Sequence, residues 1–127
     1  MIITPENIAS EMTLEIPLDW ALSKNNRITR TKEGRTIFNK NQSQVDALSN
    51  ALFYMSKSHG CVWGKRKIWI FIIAHKLNLR GDVANFIDSV ADAIKEAIRI
   101  DDNLYSFVLD WVVDKKDKIV IRIIQED

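Results

Sequence analysis

Hydrophobic and polar residues alternate from Met12 to Leu18, with Met12, Leu14, Ile16 and Leu18 on one side and Thr13, Glu15 and Pro17 on the other. A period of two is that of a half-buried strand, and Pro17 places it near a sheet edge, where a missing N–H is tolerated. The alternation then lapses. Asp19 to Asn39 is rich in Asn, Thr and basic residues, has Gly34 in its middle, and its apolar Ile28, Ile37 and Phe38 are too few for a buried segment. It predicts a loop or an exposed hairpin. From Asn41 or Ser43, both competent N-caps, a helix is expected to Ser58, with Val45, Leu48, Leu52 and Met55 as its inner stripe and Gly60 as its stop. Lys67 to Leu77 contains the run IWIFIIA, which predicts a central strand covered on both faces. Near the end, Phe107, Leu109, Trp111 and Val113, then Ile119, Ile121 and Ile123, alternate on either side of the polar stretch Asp114 to Asp117. That pattern predicts a hairpin of two strands, Tyr105 to Val113 and Lys118 to Ile124, with one face on the core.

The stretch from Arg80 to Asn103 follows the helical period instead. At 100° per residue, Asp82, Asn85, Asp88, Ser89, Asp92, Lys95, Glu96 and Arg99 fall on one half, and Val83, Phe86, Ile87, Val90, Ile94, Ala97 and Ile98 on the other. Asp82 after Gly81 suits an N-cap, and acids near a helix start are favoured by its exposed N–H groups. The elements together predict an α+β fold: one domain over residues 1–127, a mixed sheet of about four strands packed with two main helices, and residues 1–11 as a candidate flexible segment.

Charge changes the picture where composition does not. With 46% hydrophobic and 28% charged residues the chain is an ordinary globular one, and its formal net charge is only +1. The charge is uneven, however. Lys24, Arg27, Arg30, Lys32, Arg35 and Lys40 face a single acid, Glu33, within one short segment. The remainder is net acidic, so a local anionic partner is expected. Cys61 stands alone, which excludes an intramolecular disulfide and fits a reducing cytoplasm, and His59 and His75 lack zinc-ligand spacing with it. MIITPENIASEM carries acids and no long apolar core, unlike a secretory signal. No apolar run approaches the roughly 20 residues that span a bilayer. A cytoplasmic protein with no membrane partner is the expectation.

Two separate segments now point the same way. GDVANFIDSVADAI, followed by a double aspartate nine residues after Asp92, resembles the D-x-D-N-x-x-K-x-x-x-D-A-hydrophobic pattern and DD of the RusA-type Holliday junction resolvases. KNNRITRTKEGRT, from Lys24 to Thr36, resembles that family's early basic stretch, and the likeness covers about residues 12 to 125. The resemblance implies a homodimeric, Mg²⁺-dependent endonuclease, with Mn²⁺ as a substitute ion, that nicks four-way DNA junctions symmetrically in a bacterial or phage-infected cell. It implies metal ligands at Asp82, Asp92, Asp101 and Asp102, catalytic roles for Asp82 and Asp102, and a supporting role for Asn85. Lys24, Asn26, Arg27, Arg30, Lys32 and Arg35 would hold DNA. Two positions depart from the pattern: the family's second aspartate falls on Ala84 and its lysine on Asp88. Asp88, on the same polar half as Asp82 and Asp92, is the expected replacement ligand and catalytic carboxylate.

Hard divalent cations take oxygen ligands and activate water for phosphodiester cleavage, so carboxylates suffice without His or Cys. Asp82 and Asp92 lie roughly 15 Å apart along a straight helix at about 1.5 Å rise per residue, too far to share an ion. Composite sites are therefore expected, with the end of one helix meeting the start of its partner across a two-fold axis. Trp20, Trp63, Trp69 and Trp111 could stack on bases, but three of them lie in or beside strand patterns and are expected in the core. Two other readings remain: a dimeric branched-DNA-binding protein that does not cut, and a plain α+β interaction domain with solvated acids.

Overall fold

The computed structural model describes residues 8–17, 28–30, 34, 36–38, 42–76, 86–115 and 117–126. In chain order these form β1 (Ile8–Pro17), β2 (Ile28–Arg30), β3 (Thr36–Phe38), α1 (Gln42–Ser58), β4 (Ile68–Lys76), α2 (Ile87–Ile98), β5 (Tyr105–Val113) and β6 (Lys118–Glu126), with a 3-10 turn at Asp102–Leu104 before β5. Strands β1, β6, β4 and β5 make one sheet in that order, while β2 and β3 pair by themselves. The basic segment thus contains a hairpin, with Thr29 opposite Ile37.

The sheet is mixed: β4 runs parallel to β5 and antiparallel to β6, which is in turn antiparallel to β1. The fold is the expected α+β domain of a four-stranded sheet and two helices. Its core forms where the period of two meets the period of 3.6. Ile68, Ile70, Ile72 and Ala74 of β4, Ile119, Ile121 and Ile123 of β6 and Met12 of β1 face Val45, Leu48 and Leu52 of α1 and Phe86, Val90, Ala93, Ile94, Ala97 and Ile98 of α2. Strand β4 lies inside the sheet, as its apolar run predicted.

Three expectations are corrected. Strands β5 and β6 are not a hairpin, because β4 lies between them and pairs with both. The chain passes over the end of β4, where the Asp114 N–H donates to the Lys76 carbonyl at 2.8 Å. Alternation fixes which face of a strand is buried; it does not fix the neighbour. Second, β4 is not covered equally on both faces, since Trp69, Phe71, Ile73 and His75 are only half-buried on the side away from the helices. Third, Leu109, Trp111 and Val113, expected in the core, are exposed. Strand β5 pairs on one side only among the described strands, so its side chains lack a strand neighbour on the other.

The tryptophans follow the same geometry. Trp63 packs half-buried against the core and its Nε1–H donates to Ser56 Oγ at 2.8 Å. Trp69 lies on the outer face, donating to Glu126 Oε1 at 3.1 Å under the Lys67 ammonium. Trp111 is 47% exposed, with Lys76 Nζ 4.7 Å from its ring centroid, so the core assignment fails for it. Trp20 lies outside the described residues.

Local chemistry sets the boundaries. Helix α1 ends on Gly60 at φ 65, with the Cys61 N–H donating to the Ser56 carbonyl at 2.9 Å and the Gly60 N–H to Lys57 at 3.1 Å. This paired arrangement needs a left-handed residue, which glycine supplies without strain. The buried Gln125 closes the loop before β4: its Oε1 accepts from the Gly64 N–H at 2.7 Å, and its Nε2 donates to the carbonyls of Gly64 and Arg66 at 2.7 and 3.1 Å. Burial pushes the Cys61 thiol above its ordinary value, while its contact with the Glu11 carbonyl works the other way. No described helix is long and apolar enough to cross a membrane.

Candidate active site at the end of the second helix

Helix α2 is amphipathic, and its polar half is where carboxylates and cations meet. Asp88, Asp92, Lys95, Glu96 and Arg99 are exposed, while Val90, Ala91, Ala93, Ile94, Ala97 and Ile98 are buried. Ser89 is a correction, for it is fully buried rather than on the polar half. Asp88 lies in the first turn and Lys95 in the last, each at the end that suits its charge. Arg99 ends the helix in a left-handed conformation at φ 62, with its N–H on the Lys95 carbonyl at 2.9 Å. That conformation, uncommon outside glycine and asparagine, turns the chain toward the double aspartate.

The result is a cleft of about 490 Å³ lined by Asp92, Lys95, Glu96, Arg99, Ile100 and Asp101. Lys95 Nζ lies 3.5 Å from Asp101 Oδ1. Partial desolvation works against ionisation of Asp101, but hydrogen bonding with the adjoining Asp102 and the charge of Lys95 outweigh it and hold the carboxyl below the usual carboxylate range. Behind this pair, the Tyr105 hydroxyl donates to the Ile100 carbonyl at 2.7 Å, tying the turn to the start of β5. Burial, then the charges of Asp102 and Asp101, push the Tyr105 phenol well above its ordinary value and keep it a neutral donor.

Of the expected ligands, Asp92 and Asp101 line this cleft and Asp102 follows directly in the chain. Asp88 is ten residues before the helix end, about 15 Å along the axis, and so lies away from Asp101 and Asp102 in the same chain. The expected ligand set is therefore split within one chain. Among the described residues no group of three or more Asp, Glu, His or Cys converges on one ion position. The donor type suits Mg²⁺ or Mn²⁺, and three-fold convergence within one chain is not met by the residues described. Asp82, Ala84 and Asn85 lie outside the described residues, as do Lys24, Asn26, Arg27, Lys32 and Arg35; Arg30 is the last residue of β2. Lys95, Glu96 and Arg99 complete the cleft. The i+3, i+4 and i+7 spacing from Asp92 put them on that face in the sequence, but the motif did not single them out. Nothing in the sequence pattern marked Tyr105.

A second polar pair lies on the outer face of the sheet. His75 Nδ1 and Asp114 Oδ2 are 2.9 Å apart, beside the crossing from β5 to β6. The hydrogen bond with His75 first, and the Lys115 N–H second, hold the Asp114 carboxyl below its ordinary value. For a depressed carboxylate the stabilisation is present above the unfolded-state value near pH 4 and is lost as pH falls through the folded value. Thermal unfolding between pH 7 and 3 is therefore expected to show Asp114→Asn less stable at neutral pH and converging on the unmodified chain at low pH. Parallel curves would show that the contact carries no such linkage.

Fold and cleft define a class, a single-domain α+β protein with a mixed four-stranded sheet and a carboxylate-cation cleft at the end of its second helix. No protein-family model matches the chain, and no curated protein is significantly similar to it.

Proposed function

We propose that this chain is a metal-dependent endonuclease that acts on four-way or otherwise branched DNA as a homodimer. The observation that carries the reading is the cleft at the end of α2, where Asp92 and Asp101 stand beside Lys95 and Arg99. Carboxylates and cations in one cleft suit a phosphodiester held near a hard divalent ion, and the RusA-like spacing of Asp82, Asp92, Asp101 and Asp102 supports the same reading. Mg²⁺ or Mn²⁺, held by carboxylates from this set, would supply an activated water and offset the charge of the leaving oxygen. The chain's own residues do the rest. Lys95 and Arg99 can bind phosphate oxygens, and the basic segment around Arg30 positions the flanking duplex without reading sequence. The split between Asp88 and the double aspartate supports sites completed by a second chain.

A non-cleaving branched-DNA-binding protein is the second reading, favoured by Ala84 in place of a carboxylate and by the lack of three converging ligands among the described residues. A synthetic four-way junction, incubated with the protein and Mg²⁺ or Mn²⁺ and compared with a linear duplex, decides between them. Paired symmetric nicks that need the metal are expected. Junction binding without nicks selects the second reading, and no junction affinity even at low salt would leave a plain interaction domain.

A further inference from the structure

The sheet has two edges, and they are built differently. Edge β1 carries the devices that keep strands from pairing with other chains: an irregularity between Ile8 and Ser10, a terminal Pro17, and the charged Glu11 and Glu15, paired with Arg122 and Lys118. Edge β5 has fewer: its single acid, Asp110, accepts from the Trp111 N–H at 2.7 Å, so an incoming strand must displace that contact. It pairs with β4 over nine residues in unbroken register, no described strand pairs with its other side, and its nine residues include no Pro, no Lys and one charge, Asp110. Leu109, Trp111, Val112 and Val113 are exposed by 37, 47, 40 and 57%. A long, regular, apolar free edge of this kind invites another strand.

The sequence of β5 indicates which strand. Turned about a two-fold axis through Leu109, the strand places Trp111 opposite Phe107, Val113 opposite Tyr105 and Val112 opposite Ser106 of a second copy. The exposed half of each strand then covers the half-buried half of the other. Aromatic and β-branched residues stand opposite one another on the helix side, the pairings that stabilise antiparallel sheets. The single acid, Asp110, meets Val108 rather than another charge. We infer that β5 pairs antiparallel with β5 of a second copy, Leu109 opposite itself, to give a continuous eight-stranded sheet across the dimer. With Trp111 and the valines contributing, the interface covers on the order of 1,000 Å² in total, the low end for specific association, so the dimer forms reversibly with concentration. The inference deepens the homodimer of the proposed function, but it rests on the sheet edge and not on nuclease chemistry.

Directly opposed residues of an antiparallel pair have Cβ atoms about 4.5–5.5 Å apart, wider than the roughly 3.5–4.5 Å of a relaxed disulfide but within reach of a short bifunctional thiol reagent. In a Cys61→Ser background, Leu109→Cys is expected to cross-link to a covalent dimer with that reagent, whereas Thr13→Cys on edge β1 stays monomeric in denaturing electrophoresis. In sedimentation equilibrium, Val113→Lys at the most exposed edge position is expected to shift the monomer-dimer equilibrium at least tenfold toward monomer with an unchanged circular dichroism spectrum. A dimer that neither cross-links through Leu109→Cys nor responds to Val113→Lys overturns the β5 interface, while junction cleavage by that dimer keeps the nuclease reading. A monomer at all concentrations overturns the interface as well. Cross-linking at position 109 without any junction cleavage upholds the interface and overturns the nuclease reading alone.

Discussion

Asp102→Asn is expected to lower metal-dependent junction cleavage by about two to three orders of magnitude, the equivalent of the several kcal/mol that a catalytic ion supplies to the transition state. The substitution keeps shape and hydrogen-bonding capacity while removing charge, and Asp102 is exposed in a 3-10 turn, so the fold has no reason to fail. Junction binding in the absence of metal is expected to hold or rise slightly, since one negative charge near the phosphates is gone. Cleavage and electrophoretic mobility shift, measured on the same junction, separate the two effects. If Asp102→Asn and Asp82→Asn both cut as well as the unmodified chain, the activity belongs to another site or to a contaminant. Asp88→Asn addresses the departure at that position separately: retained activity would show that its carboxylate is not a ligand.

Ile70→Ala is expected to cost about 2–5 kcal/mol of folding stability, against a total of about 5–15 for a domain of this kind. Ile70 has no solvent exposure, and it sits on an inner strand with neighbours on both sides, opposite Ile123 of β6 and Phe107 of β5. Removing its side-chain atoms leaves a cavity whose walls are strands held by ladders on both sides and cannot readily collapse. The same change at Leu14, partly exposed on edge β1, is expected to cost clearly less. Urea denaturation followed by circular dichroism measures both. Equal midpoints would show that the centre of the sheet is more plastic than its packing implies.

Much of the architecture was legible in the sequence because it depends on period. Alternation marked β1, β5 and β6, the apolar run marked β4 as the inner strand, the i, i+3, i+4 stripe of Val45, Leu48 and Leu52 marked α1, and Gly60 marked its end. The amphipathic split of α2 placed Asp92, Lys95, Glu96 and Arg99 on one polar face, so most of the cleft lining could be read in advance. Period carries no information about neighbours, and so the sequence suggested β5 and β6 as a hairpin. Only the assembled sheet inserts β4 between them, because an apolar strand of nine residues is best satisfied with ladders on both sides. Nor does period say which strand ends up at a sheet edge. Trp111 and Val113 carry a core pattern yet remain exposed, on a strand that among the described strands has a neighbour on one side only. The tertiary structure also decided where charge accumulates: the left-handed turn at Arg99 brings Asp101 back against Lys95 and into the cleft with Asp92, a contact between residues that the helical repeat would have kept apart. The sequence by itself determined the elements, their buried faces and the acidic character of the second helix. The strand order, the edge position of β5 among the described strands and the assembly of the cleft came from packing, because they follow from long-range contacts that no local pattern encodes.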